Sequence, residues 1–89
     1  MTQKVYKIVG TIKEVKGNCT ANHKQGDTFE LSGHSANGLC GFFYHDIFPS
    51  ILSLQFGGTF PWSSNPDIVE VECPDRFNQV KMELRRVRE

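Results

Sequence analysis

The sequence predicts an α+β domain of two layers, a four-stranded and mainly antiparallel sheet in the order ββαββ covered by one kinked or broken helix. Four segments alternate apolar and polar residues with the period of two that marks a strand with one buried face, and one central segment carries apolar residues at helical spacing. A sheet with a single apolar face needs one covering layer, and only the central segment can supply it. A chain of 89 residues supports one core and leaves no room for a linker, so residues 1–89 are read as a single domain.

The first strand spans Lys4 to Lys16, with Tyr6, Ile8 and Ile12 on one face and Lys7, Thr11 and Lys13 on the other. Gly10 has no side chain to pack and marks the expected place of a bulge or bend. Gly17 to Asp27 has the composition of a loop, after which Thr28 to Leu31 alternates again and returns antiparallel to the first strand. Beyond a second loop, Ser32 to Gly38, apolar residues recur at Phe43, Ile47, Ile51 and Leu54 and at Tyr44, Phe48, Leu52 and Phe56, which is the spacing of a helix over Leu39 to Phe56. Pro49 has no N–H for the preceding turn, so two short helices or one kinked helix are expected, with Gly57 and Gly58 ending the second piece. Asp67 to Cys73 turns Val69, Val71 and Cys73 one way, and Val80, Met82 and Leu84 then oppose Lys81, Glu83 and Arg85, the pattern of a closing hairpin.

Composition narrows the function classes. Ten basic and ten acidic side chains cancel, so no overall field draws the chain to nucleic acid or to anionic lipid. The longest apolar stretch, Ile47 to Phe56, is interrupted by polar residues and too short to span a bilayer, and Met1 to Gly17 lacks the apolar block of a signal peptide. A cytoplasmic protein is expected, with no membrane or nucleic-acid partner; a protein partner or a second copy of the chain remains as the class of partner. An odd number of cysteines, three, fits a reducing compartment, in which thiols need no pairing.

Those cysteines are the main chemical signal. Cys19 and His23 are close enough along one loop for thiolate and imidazole to reach the same ion, although the pair alone is equally a loop cysteine beside a solvated histidine. Cys40 stands at the expected helix start, where unpaired N–H groups and the helix dipole favour a thiolate, and where a small buried hydrophobe is the plainer reading. Cys73 ends the third strand on its inner face, which by itself indicates packing. If the first loop, the helix start and the strand end meet at one edge of the sheet, Cys19, His23, Cys40 and Cys73 form a Cys₃His set suited to zinc or to iron. His34, between glycine and serine in a loop, and His45, on the helix, are weaker candidates. Phe60 and Trp62 read as core plugs before a ligand-binding lip, and Arg85, Arg86 and Arg88 as a solvated strand end.

Several motifs together, Gly17-Asn18-Cys19, His23-Lys24-Gln25-Gly26-Asp27-Thr28-Phe29, Gly38-Leu39-Cys40, Gly57-Gly58 before Phe60-Pro61-Trp62, and Cys73-Pro74-Asp75, span nearly the whole chain. In these the sequence resembles a family of small prokaryotic single-domain proteins of roughly 80 to 100 residues, widespread in anaerobes. Two departures stand out: Asn22 where the family pattern has glycine before the histidine, and Gly41 where it has proline after the second cysteine. The resemblance implies matching positions at Cys19, His23, Cys40 and Cys73, and it brings no established activity. Three functions remain open: a metal-binding module; a thiol redox or iron–sulfur protein using Cys40 and His23; and an interaction or small-ligand domain with inert cysteines and a pocket beside Phe60 and Trp62.

Overall fold

The computed structural model describes residues 5–17, 23–74 and 78–88. Its elements are β1 (Lys7–Val15), β2 (Thr28–Leu31), α1 (Gly41–Gln55), β3 (Ile68–Glu72) and β4 (Val80–Val87), the expected ββαββ order. The strands form one four-stranded antiparallel sheet in the spatial order β2-β1-β4-β3. The first and last strands are therefore its centre, and α1 lies across the inner face.

Alternation sets the core. Ile8 and Ile12 of β1, Leu31 of β2, Val69 of β3 and Val80, Met82 and Leu84 of β4 are buried against Phe43, Ile47, Ile51 and Leu54 of α1. The irregularity expected at Gly10 lies elsewhere: the β1–β4 register shifts between Ile12 and Glu14, which makes Lys13 the extra residue. That insertion changes the parity of β1, so Val15 follows Ile12 to the inner side and pairs with buried Val80. Gly10 serves close packing instead, since a Cβ there would lie 2.7 Å from Met82 Sδ and 3.0 Å from Leu31 Cδ1.

α1 runs without interruption through Pro49, which lies on the exposed side. A proline inside a helix costs about 3 kcal/mol. Burial of Phe43 and Ile47 before it and of Ile51 and Leu54 after it, on one face, offsets that cost at about 2 kcal/mol for each side chain. The helix stops at Phe56, beyond which Gly57 takes φ +92° and the N–H groups of Gly57 and Gly58 turn back to the carbonyls of Leu54 and Ser53.

Arg86 corrects the expectation of a solvated strand end. It shares the inward parity of Val80, Met82 and Leu84 and is only 2% exposed. Its Nε donates to Asp67 Oδ1 at 3.0 Å, Nη1 to the carbonyls of Leu54 at 3.2 Å and Gly58 at 2.8 Å, and Nη2 to that of Pro66 at 2.7 Å. α1 has no basic residue in its own last turn, so Arg86 brings from β4 the cation that the carbonyl end of a helix favours. Arg88, largely exposed, donates from Nε to the same Asp67 oxygen at 2.7 Å, and both guanidiniums lie over the Tyr6 ring, 5.2 and 5.3 Å from its centre. Arg85 is half-exposed and pairs with Glu83.

The two loop aromatics divide. Phe60 packs against the core as expected, whereas Trp62 is 73% exposed and touches the fold through the Phe60 ring, 5.1 Å away. A loop imposes no periodicity on its side chains, so spacing does not decide which of the two rings is buried. Among the described residues no helix is long and apolar enough to cross a membrane.

Candidate functional site

The end of the sheet where β1 and β3 finish and β2 and β4 begin collects the chemistry. Val15 is opposite Val80, the Cys73 N–H donates to the Val80 carbonyl at 2.9 Å, and the Gly26 N–H, entering β2, donates to the Ile12 carbonyl at 2.8 Å. Cys73 and Cys40 both pack, partly buried, against the hydrophobic core. Cys19, the first of the candidate ligands, lies outside the described residues.

His23 departs from a solvated loop histidine. It is 8% exposed, with its ring edge-on to Phe29 at 5.0 Å between centroids. Nε2 accepts the backbone N–H of Cys40 at 3.0 Å. An accepting Nε2 carries no proton, so Nδ1 is the protonated nitrogen of a neutral ring. Cys40 is the N-cap of α1 and its own side chain makes no capping bond. The imidazole thus gives the N-cap N–H the acceptor that a glutamate three residues into the helix gives in a capping box, and it does so from a loop seventeen residues away.

Cys40 carries a free thiol and lines an open groove of about 670 Å³ with Gly41, Phe42, His45, Asp46 and Pro74. Phe42 is 80% exposed, while its neighbour Phe43 is buried, so the helix start shows one aromatic ring to solvent and the other to the core. Pro74 follows Cys73 directly, so the groove joins the helix start to the end of β3. Phe60 and Trp62 are not among its lining residues. His34 is exposed, and its backbone N–H donates to Ser32 Oγ at 3.1 Å.

Of the four sequence candidates, the structure brings His23 and Cys40 into direct contact and sets Cys73 next to the groove that Cys40 lines. Among the described residues, no group of three or more histidine, cysteine, aspartate or glutamate side chains is positioned to hold a metal ion. Nor does His23 address the Cys40 thiol as a base would, because the lone pair of Nε2 is directed at the backbone N–H. Sequence reasoning missed the capping role, for which a loop histidine gives no periodic signal, and it missed the groove. Compared with profiles of protein families, with curated proteins and with solved structures, the chain matches none.

Proposed function

We propose that the protein is a metal-binding module in which cysteine thiolates and His23 hold zinc or iron at the end of the sheet where β1 and β3 finish. The observation that supports this reading is the contact of His23 with Cys40 at the helix start, beside a groove that runs on to Pro74 and hence to Cys73. Cys19, four positions before His23 in sequence, is the fourth member of the set. Three thiolates and one imidazole are a well-populated zinc coordination, and a small domain with a thin core gains stability from tying separate segments to one ion. Elemental analysis of protein purified anaerobically without chelator is expected to find about one zinc or iron per chain, with thiols protected from alkylating reagents until the metal is removed. Metal-free protein with three freely reacting thiols would end this reading.

A second reading is favoured by the groove itself. An open cleft walled by Phe42 and Pro74, with a thiol, an imidazole and a carboxylate along it, is a place for a small apolar ligand. Titration of the metal-free protein with small aromatic fragments, followed by amide chemical shifts, tests it. Changes confined to the amides of residues 40–46 and Cys73 support a ligand site, and changes scattered over the surface or absent exclude it.

A further inference from the structure

We infer that the open edge of β3 docks an extended segment of another protein, one in which basic and apolar residues alternate, as an added strand of the sheet. The inference is independent of the metal-binding reading, since it uses only the backbone of β3 and the charges beside it.

β3 is a margin of the sheet, with β4 on one side only. The Arg86 N–H donates to the Asp67 carbonyl at 2.7 Å and the Cys73 N–H to that of Val80 at 2.9 Å, so by alternation Val69 and Val71 face β4 while the backbone groups of Ile68, Glu70 and Glu72 face outward. Ile68 is already occupied: its N–H donates to the Asn65 carbonyl at 3.2 Å and its carbonyl accepts the Ser63 hydroxyl. Pro74, beyond the strand, has no N–H to offer. The edge is thus closed at both ends and open at Glu70 and Glu72, whose two N–H groups and two carbonyls have no partner among the described residues.

Charge selects the occupant. Glu70 lies opposite Glu83 in a pair that is not hydrogen-bonded, the closest cross-strand approach of two side chains, where like charges destabilise. Glu83 has Arg85 at 3.6 Å, and Glu72 shares Lys81, 3.9 Å away, with Glu14. Glu70 has no cation among the described residues. A strand laid along the edge would put its residues opposite Glu70 and Glu72 on this outer face, and the residue between them on the inner side beside Val71, which is only partly buried. The complementary pattern is therefore basic, apolar, basic, with main-chain bonds supplying attachment and the side chains supplying selectivity. A second copy of this chain does not provide it. Its β3 would set carboxylates against carboxylates, and its other sheet edge, β2, presents Thr28 and Glu30.

The test uses the peptide Thr-Lys-Val-Lys-Val-Lys-Thr, blocked at both ends and titrated into ¹⁵N-labelled full-length protein at low ionic strength. Amide shifts centred on residues 69–73 are expected, with slowed hydrogen exchange at Glu70 and Glu72 and none at Thr28 and Glu30. The same peptide with glutamate for lysine, or with its edge-facing amide nitrogens methylated, is expected not to bind. Glu70→Gln combined with Glu72→Gln, both on exposed side chains, should weaken the basic peptide about fivefold, a difference that shrinks as salt is raised. Absence of binding, binding that leaves the Glu70 and Glu72 amides unprotected, protection at β2 instead, or equal binding of the glutamate or methylated peptide overturns the inference. Protection of Glu70 and Glu72 that grows with protein concentration in the absence of peptide assigns the edge to a second copy of the chain and overturns it equally.

Discussion

Replacing Arg86 by alanine tests whether a buried cation organises the end of the fold opposite Cys40 and Cys73. In the wild-type protein the guanidinium satisfies the carbonyls of Leu54, Gly58 and Pro66 and one oxygen of Asp67. Alanine takes the guanidinium donor from all four acceptors, of which the Leu54 carbonyl keeps the Gly57 N–H, and opens a cavity between the helix end and β4. Leaving a buried polar group unsatisfied costs about 1–3 kcal/mol, and breaking a buried ion pair by removing one partner costs about 3–5 kcal/mol. The carboxylate keeps Arg88 and part of its solvent contact, which moderates the loss. A destabilisation of about 4 kcal/mol is expected, a large share of the ~5–15 kcal/mol available to a small domain. Urea denaturation followed by far-UV circular dichroism measures it through the shift in midpoint at constant slope. Arg86→Lys keeps a charge but cannot span the same acceptors and should lose about half as much, whereas Arg85→Ala, on a half-exposed side chain, should stay within about 0.5 kcal/mol. If Arg86→Ala behaves like Arg85→Ala, the buried network contributes nothing net and the account given of this end of the fold is wrong.

Further outcomes follow from individual contacts. Asp67 is held below the usual carboxylate range, first by its hydrogen bond from Arg88 and then by that from Arg86, while partial burial opposes the shift. Its folded-state pKa lies below the unfolded one, so its stabilisation is present in full above the ordinary value of 3.8 and is lost as pH falls through the lower folded value. The gap in urea midpoint between wild type and Asp67→Asn should accordingly narrow on acidification from pH 7 toward about pH 3, and a gap independent of pH would refute the assignment. Gly10→Val should destabilise by about 2 kcal/mol through overpacking against Met82 and Leu31, seen as a lowered Tm, with Gly10→Ala costing less because the nearest atoms are flexible side-chain ends. Phe43→Ala should cost about 3–4 kcal/mol while Phe42→Ser leaves urea stability almost unchanged, and reversal of that order would mean the helix is rotated about its axis.

Much of the fold was legible because a strand repeats every two residues and a helix about every four. β2 matches its expected limits, and Val69, Val71, Val80, Met82 and Leu84 lie on the inner side as their alternation requires. The bulge at Lys13 was not legible, because it is defined by pairing with β4, a strand some seventy residues further on, and nothing within β1 announces it. Arg86 is a different case, since its parity with Met82 and Leu84 points inward, against the general preference of arginine for solvent. The candidate site was legible only as a set of chemically apt residues. That His23 would be buried, and would spend its lone pair on the helix start, depends on a contact between segments that no local pattern encodes.

The position of β4 between β1 and β3 governs the order in which the molecule can assemble. Lys7 pairs with Val87 and Val15 with Val80, so the central ladder joins residues separated by nearly the full length of the described chain. Hairpin β3–β4 and helix α1 are local and can form early, but the ladder that makes them one sheet must wait for closure of the longest loop in the protein. Acquisition of native structure is consequently expected to be slow for a chain this short, with a late step that depends on Ile8 and Ile12 finding Met82 and Leu84. The end of the sheet where Cys73 bonds the Val80 carbonyl is completed in that same step.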